Sequence, residues 1–439
     1  MLFIGSRKHL YIEQTHFNSC LIKAMKNTFI TLLLLFCAGS HNLFAAQGSR
    51  IVSCRLWQTV SKDELRKRMK ERKIPKALLN PRYDVKIYDV QYISHWHDGS
   101  EVLASGLYFV PQGMDSAMPQ LVYHHGTRFA KGREPEIKRE TNFALGYAVD
   151  GYVVLMPDYL GLGHGERFHI YQQYKPLGQT TVDFLFATAA LHDSFNIKVN
   201  KQLFLTGYSL GGYAALGANK LIQEKYADHF KVTATSANAG AYDMAGVQSQ
   251  AMFQPYPRPQ FLPYLLQGLN EVYNMVPNLN AIYREPYASV IQDYFDGNHA
   301  HDGLEKKLPA IPKEMLTDSF VNLYMNDKDC IMRKALRENT ICYWKPENAV
   351  QLCHCKGDEI VFYENAEAAY NGMKQEGAKD VTLRNPGKKY GHRGCGLFAT
   401  AYSKMYFDSF RAGSKHGRKG SISQRFFLSL AKLKKPIES

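Results

Sequence analysis

No stretch of these 439 residues has the length and apolar character of a membrane span: the clearest candidate, residues 29–38, is about half of the roughly 20 residues a bilayer requires. Also missing are internal repeats at solenoid or propeller period, zinc-finger spacing, a helix-turn-helix pattern and an RNP-like aromatic and glycine motif. Those absences exclude multi-span membrane proteins, repeat arrays and the common nucleic-acid modules. Composition, at 45% apolar, 13% aromatic and 21% charged, excludes a disordered or collagen-like chain.

Acidic residues are in short supply, 40 against 54 Lys plus Arg, giving a net charge of +14. The excess is local. Residues 1–45 carry +3 and residues 411–439 carry +7, leaving +4 for residues 46–410. A basic groove for nucleic acid is therefore not expected, although the tail at 411–439 suits weak contact with anionic surfaces or is simply a solvated end. Length alone suggests about three domains, or one elaborated α/β core.

Basic Lys23 and Lys26, the apolar run 29–38 and the small residues Ala45 and Ala46 describe a secretory signal peptide, cleaved after Ala45 or Ala46. Translation is expected to begin at Met25, with residues 1–24 an upstream extension. Lipid attachment at Cys37 is disfavoured by bulky Phe36. Export leaves six cysteines, Cys54, Cys330, Cys342, Cys353, Cys355 and Cys395, which allow fifteen pairings in an oxidising compartment. Cys353-His354-Cys355 has no second ligand pair at zinc-like spacing, so no metal site is expected.

Residues 62–73 read as a surface helix ending at Pro75. Strand patterns follow at 85–93, 102–110, 121–123, 152–156 and 203–206, with a helix at 181–195. Strands alternating with helices imply βαβ units and a largely parallel sheet. Residues 240–345 are rich in aromatics and proline and helix-like, and strand patterns resume at 349–355 and 381–383. The expected organisation is a leader (1–45), an α/β core in two parts (46–239 and 346–410), a helical insertion (240–345) and a basic tail (411–439).

The chemistry-bearing motif is Gly207-Tyr208-Ser209-Leu210-Gly211-Gly212, placed between a strand and an Ala-rich helix. A turn this sharp needs glycine on both sides and lifts Ser209 out of the sheet as a candidate nucleophile; the competing reading is a glycine-rich packing turn. Serine needs a base, and the base needs an acid to hold its tautomer. In the order Ser, acid, His, the candidates are Asp358 and His392, each in a loop just past a strand. Glu359 and Glu364 are the nearest competing acids, and His392 is the only histidine between Asp358 and His416. Oxyanion donors are expected from the N–H of Leu210 and from Gly126 or Thr127 in His124-His125-Gly126-Thr127. His124 reads as packing, Asp158 as a structural acid, and His164 as a loop residue without a role.

Taken with Ala104-Ser105-Gly106-Leu107-Tyr108-Phe109-Val110-Pro111, Pro157-Asp158-Tyr159-Leu160-Gly161-Leu162-Gly163 and Trp344-Lys345-Pro346, these motifs resemble an exported bacterial α/β-hydrolase of the secretory-lipase and prolyl-oligopeptidase-like esterase group, over roughly residues 80–410. The resemblance implies an α/β-hydrolase fold with a mostly parallel central sheet flanked by helices and a helical cap between the sixth and seventh strands. It implies serine ester hydrolysis without a cofactor, acting on a small-molecule or lipid ester in the periplasm or outside the cell. Two features depart from the group: His354-Cys355 stands where many relatives read His-Gly, and Cys395 follows the candidate base by three residues. Since a triad would bring Asp358 and His392 together, Cys355 and Cys395 are one candidate pair; two unpaired cysteines are the other reading. The rival functions are a serine peptidase, which lacks the propeller repeats of the large oligopeptidases, and a non-catalytic binding protein on the same fold. Nothing in the chain reads on oligomeric state.

Overall fold

The computed structural model describes residues 50–71, 76, 79–132, 139–295, 299, 303–414, 416, 424, 428 and 429. The expected leader and most of the basic tail lie outside the described residues. Nine strands form one sheet in the order β1-β2-β3-β5-β4-β6-β7-β8-β9. They are β1 (Ile51–Val60), β2 (Val85–His95), β3 (Glu101–Pro111), β4 (Met118–His124), β5 (Val153–Pro157), β6 (Val199–Tyr208), β7 (Val232–Asn238), β8 (Ala349–Cys353) and β9 (Val381–Arg384). β1, β2 and β3 pair antiparallel, as does β3 with β5, and every later pairing is parallel.

Burial follows the pleat. In β5, Val153 and Leu155 join one buried cluster with Val122, Leu205 and Phe184, while Val154 and Met156 join another with Leu121, Phe204 and Phe407. Because both faces are covered, this strand reads as an unbroken apolar run rather than an alternating one. Helices α3 (Tyr174–Ser194) and α4 (Leu210–Lys225) cover the first face, and α2 (Arg139–Ala148) and α10 (His392–Arg411) cover the second. The surface helix α1 is Lys62–Glu71, and α9 (Glu364–Gln375) packs beside β8 and β9. Between β7 and β8 the chain is helical: α5 (Phe261–Tyr273), α6 (Tyr287–Tyr294), α7 (Asp318–Asn326) and α8 (Ile331–Glu338), joined by short 3-10 turns.

Two expectations are corrected. The helical segment falls between the seventh and eighth strands, not the sixth and seventh; of the seven strands before it, β7 (Val232–Asn238) and the edge strand β1 (Ile51–Val60) have no counterpart in the sequence reading. β1 carries two register shifts and no in-out alternation, so its sequence has no period of two to read. Helix α3 starts at Tyr174 rather than at 181, since Pro176 sits in the first turn, where its missing N–H costs nothing.

Candidate active site

β6 stops at Tyr208 and α4 starts at Leu210, so Ser209 alone makes the turn, with φ 59° and ψ −124°. A non-glycine residue at positive φ is strained by about 1 kcal/mol or more, and the surroundings must enforce it. Here they do. A Cβ on Gly211 would lie 2.0 Å from the carbonyl oxygen of His124, and one on Gly212 would lie 2.0 Å from that of Asn238. Helix α4 thus rests main chain against main chain on β4 and β7, and the Ser209 N–H donates to Asn238 O at 3.0 Å.

The loop after β8 and the start of α10 bring the other two predicted residues to this turn. His392 Nε2 lies 2.9 Å from Ser209 Oγ, and His392 Nδ1 lies 2.7 Å from Asp358 Oδ2. Asp358 is 7% exposed, and its other oxygen accepts the N–H groups of Ile360 (3.0 Å) and Val361 (2.9 Å). Burial by itself would push the carboxyl up, but the adjacent His392 and His354 outweigh it and hold the group well below the usual carboxylate range. With the carboxylate charged and facing Nδ1, the neutral ring keeps its proton there and leaves Nε2 free to accept one from Ser209.

Sequence reasoning missed several supporting groups. Fully buried His354 donates through Nε2 to Val361 O (2.9 Å) and faces Asp358 Oδ2 (3.1 Å), so it fixes the acid loop instead of serving a metal fragment. Glu359, expected as a competing acid, instead accepts the backbone N–H of His392 at 3.0 Å; Glu364 opens α9. Tyr208 OH donates to His392 O at 2.5 Å. A Cys355–Cys395 disulfide joins the acid loop to the first turn of α10. The signal for this pairing was the matching offset of the two cysteines from Asp358 and His392. Glu140 and His354 gave no such signal.

Of the two expected oxyanion donors beside Leu210, the Gly126 N–H already donates to Glu140 Oε2 at 2.7 Å. His124 packs as expected, with Nδ1 3.0 Å from Thr206 O and Nε2 2.8 Å from Thr181 Oγ1, and burial lowers its pKa to about 4. His125 Nδ1 donates to Gly126 O at 2.7 Å. Asp158 accepts from Ser105 Oγ at 2.8 Å, a structural link between β3 and the loop after β5, and His164 reaches Asp89 at 3.0 Å.

Ser209 lines a pocket of about 670 Å³ of empty space, mouth included. The helical segment between β7 and β8 supplies most of its wall, including Met252, Leu262, Leu265, Met332 and Leu336. Gln172, at the other side, was not singled out from sequence. An apolar pocket beside a hydrogen-bonded Ser-His-Asp relay can hold an acyl chain while its carbonyl meets Ser209.

Among the described residues no helix is long and apolar enough to cross a membrane, and no group of three His, Cys, Asp or Glu is placed to hold a metal ion. A family model described as secretory lipase matches residues 135–397. The chain is 23% identical over 298 residues to the secreted triacylglycerol lipase LIP4 of Malassezia globosa, covering 62% of this chain and 58% of the relative. It thus spans about three fifths of the length of the curated relatives it matches. Among solved structures, a Legionella pneumophila protein superposes with a TM-score of 0.75 at 26% identity, covering 82% of this chain and 98% of that one. The rice cell wall degrading esterase LipA of Xanthomonas oryzae gives 0.70 at 21% identity, with 82% and 96% covered, and so shares the fold.

Proposed function

The chain belongs to the secretory lipase family, and from that premise we propose that it is an exported serine hydrolase of carboxylic esters, with Ser209, His392 and Asp358 as its catalytic triad. The observation that carries the proposal is the relay of 2.9 Å and 2.7 Å that links Ser209 through His392 to Asp358 at the wall of an apolar pocket.

In this mechanism His392 Nε2 takes the proton of Ser209 Oγ as the oxygen attacks the ester carbonyl. Asp358 stays ionised and stabilises the imidazolium. The N–H groups of Leu210 and Thr127 receive the developing oxyanion. Leu210 opens α4, so its N–H is among the four that the helix itself leaves unpaired, and the positive end of the helix dipole adds to it. Collapse of the tetrahedral intermediate breaks the ester C–O bond, and His392 returns its proton to the departing alcohol. Water, deprotonated by the same His392, then cleaves the acyl-enzyme and restores the serine.

The substrates are small-molecule or lipid esters whose acyl part lies against Met252, Leu262, Met332 and Leu336. Residues 240–345 act as the cap that builds this wall between the core segments 46–239 and 346–410. Residues 1–45 direct export.

A fluorophosphonate probe should label the wild type and not Ser209→Ala, and nitrophenyl esters should be turned over by the wild type alone. A wild type that folds yet never labels would return the protein to the non-catalytic class. Faster turnover of a prolyl amide than of any ester would make it a peptidase.

A further inference from the structure

Asp358 faces two histidines with one oxygen. Its Oδ1 accepts the N–H groups of Ile360 and Val361, while its Oδ2 lies 2.7 Å from His392 Nδ1 and 3.1 Å from His354 Nε2. A carboxylate offers about four lone-pair sites, and here all of them are taken. The triad uses only the contact with His392. His354, fully buried, is a second imidazole on the very oxygen that supports the proposed base.

The neighbours of His354 place its proton. Nε2 sits between Asp358 Oδ2 and Val361 O (2.9 Å), and with Asp358 ionised neither oxygen can donate, so this nitrogen carries the hydrogen and shares it between them. Nδ1 meets no partner among the described residues, so nothing there competes for that hydrogen. The ring has no room to swing away either. The His354 backbone N–H is tied to Arg384 O in β9 at 2.9 Å, and the Tyr363 ring stands edge-on to the imidazole at 5.7 Å.

A donor on a carboxylate oxygen draws on the same negative charge that steadies an imidazolium at that oxygen. We infer that His354 is a positioning residue that sets how strongly Asp358 supports His392: by sharing Oδ2 it tempers the pull of the acid and keeps the base ready to take the serine proton in more acidic solution. The inference rests on the triad reading and adds the pH range of that site. Other ionisable groups surround the pair. Glu359 accepts the His392 N–H at 3.0 Å, the Tyr208 ring lies 5.1 Å from the His392 ring, Tyr256 OH donates to Ile360 O at 2.9 Å, and Glu140 is in electrostatic reach of His392. Among the described residues none of these four hydrogen-bonds to Oδ2, and a change at His354 leaves all of them in the chain.

The pH profile of kcat/KM on a soluble nitrophenyl ester tests this, because its acid limb reports the base of the free enzyme. In His354→Phe, similar in size and without a donor, the limb should move up by about 0.5 to 1 pH unit. One unit below the wild-type midpoint, the rate relative to its own plateau should then fall about three- to tenfold below wild type. His354→Gln, whose amide N–H reaches about as far as Nε2, should return the limb to its wild-type position. A histidine that merely held the loop would lower the plateau and leave the limb in place. A limb that stays or moves down in the Phe variant, or one that moves as far in the Gln variant as in the Phe variant, would overturn the inference. If the Phe variant does not fold, proton NMR of the wild type decides. The His354 Nε2–H resonance, identified by its loss in the Gln variant, should shift when a fluorophosphonate adduct at Ser209 leaves His392 protonated, and an unmoved resonance would equally overturn the inference. A wild type that never labels fails earlier, at the hydrolase reading itself.

Discussion

The Cys355–Cys395 disulfide closes a loop of 40 residues that contains both the proposed acid and the proposed base. Replacing both cysteines by serine frees that loop in the unfolded chain. With the chain-entropy relation, a loop of this length corresponds to about 4 kcal/mol at 25 °C. Spread over the unfolding entropy of roughly 390 residues, that is a fall in Tm of about 5 °C. Catalysis should suffer less. Asp358 remains held by the N–H groups of Ile360 and Val361 and by His354, while His392 remains held by Glu359 and Tyr208. These contacts fix the two side chains locally, so kcat at 25 °C should stay within about threefold while the protein is folded. Scanning calorimetry of the double-serine variant, paired with ester turnover normalised to phosphonate-titrated sites, reads both quantities. An unchanged Tm would refute the loop-closure argument. A stable variant with kcat lowered a hundredfold would show that the disulfide, not the hydrogen bonds, positions the triad.

Glu140→Ala should lower kcat by about tenfold or more with little change in KM, because the Gly126 N–H loses its acceptor and the Thr127 donor loses its orientation. Glu140→Gln, which keeps an acceptor oxygen, should recover most of it; equal losses in the two variants would disprove the positioning role. Gly211→Ala should yield little folded protein in a soluble-expression assay, since its Cβ would sit 2.0 Å from His124 O, and full recovery of folded, active enzyme would contradict the packing described. Stability should fall from pH 7 towards pH 5. Buried His124 and His169 titrate at about 4 in the fold because burial disfavours their charge, so below about 6.5 the unfolded chain binds the extra protons, at about 1.4 kcal/mol per unit per group. His95 has the opposite sign: its pKa is raised chiefly by its hydrogen bond to Asp183, so its contribution is full below the unfolded value and is lost as pH rises through the folded one. Two deeply buried groups outweigh one partly exposed group, and a Tm that is flat or rising towards pH 5 would refute this account.

Most parallel strands were legible because burial on both faces leaves runs such as Tyr152-Val153-Val154-Leu155-Met156, whereas β7 (Val232–Asn238) was not, since Thr233, Thr235, Ser236 and Asn238 interrupt its apolar run. The edge strand Ile51–Val60 was not, because its alternate residues are half-exposed on both sides and its register slips twice. At the site, Ser209, Asp358 and His392 stand in chain positions that a strand-loop topology brings together, so order and spacing sufficed. Glu140 and His354 act through contacts with backbone groups, and a carboxylate meeting a remote N–H leaves no periodicity to read.

The contact of α4 with β4 and β7 through Gly211 and Gly212 has a consequence for how such a chain can diverge. Main-chain atoms are common to every amino acid, so the height of Ser209 above the sheet does not depend on which apolar side chains fill the strands. Core positions such as Val122 or Leu205 can exchange for residues of similar volume and leave Ser209 where it is. A saturation library across β4, β6 and α4 should accordingly divide sharply, with broad tolerance along the strands and almost none at the two glycines. Pocket walls can then drift over time while the Ser209 oxygen keeps one address.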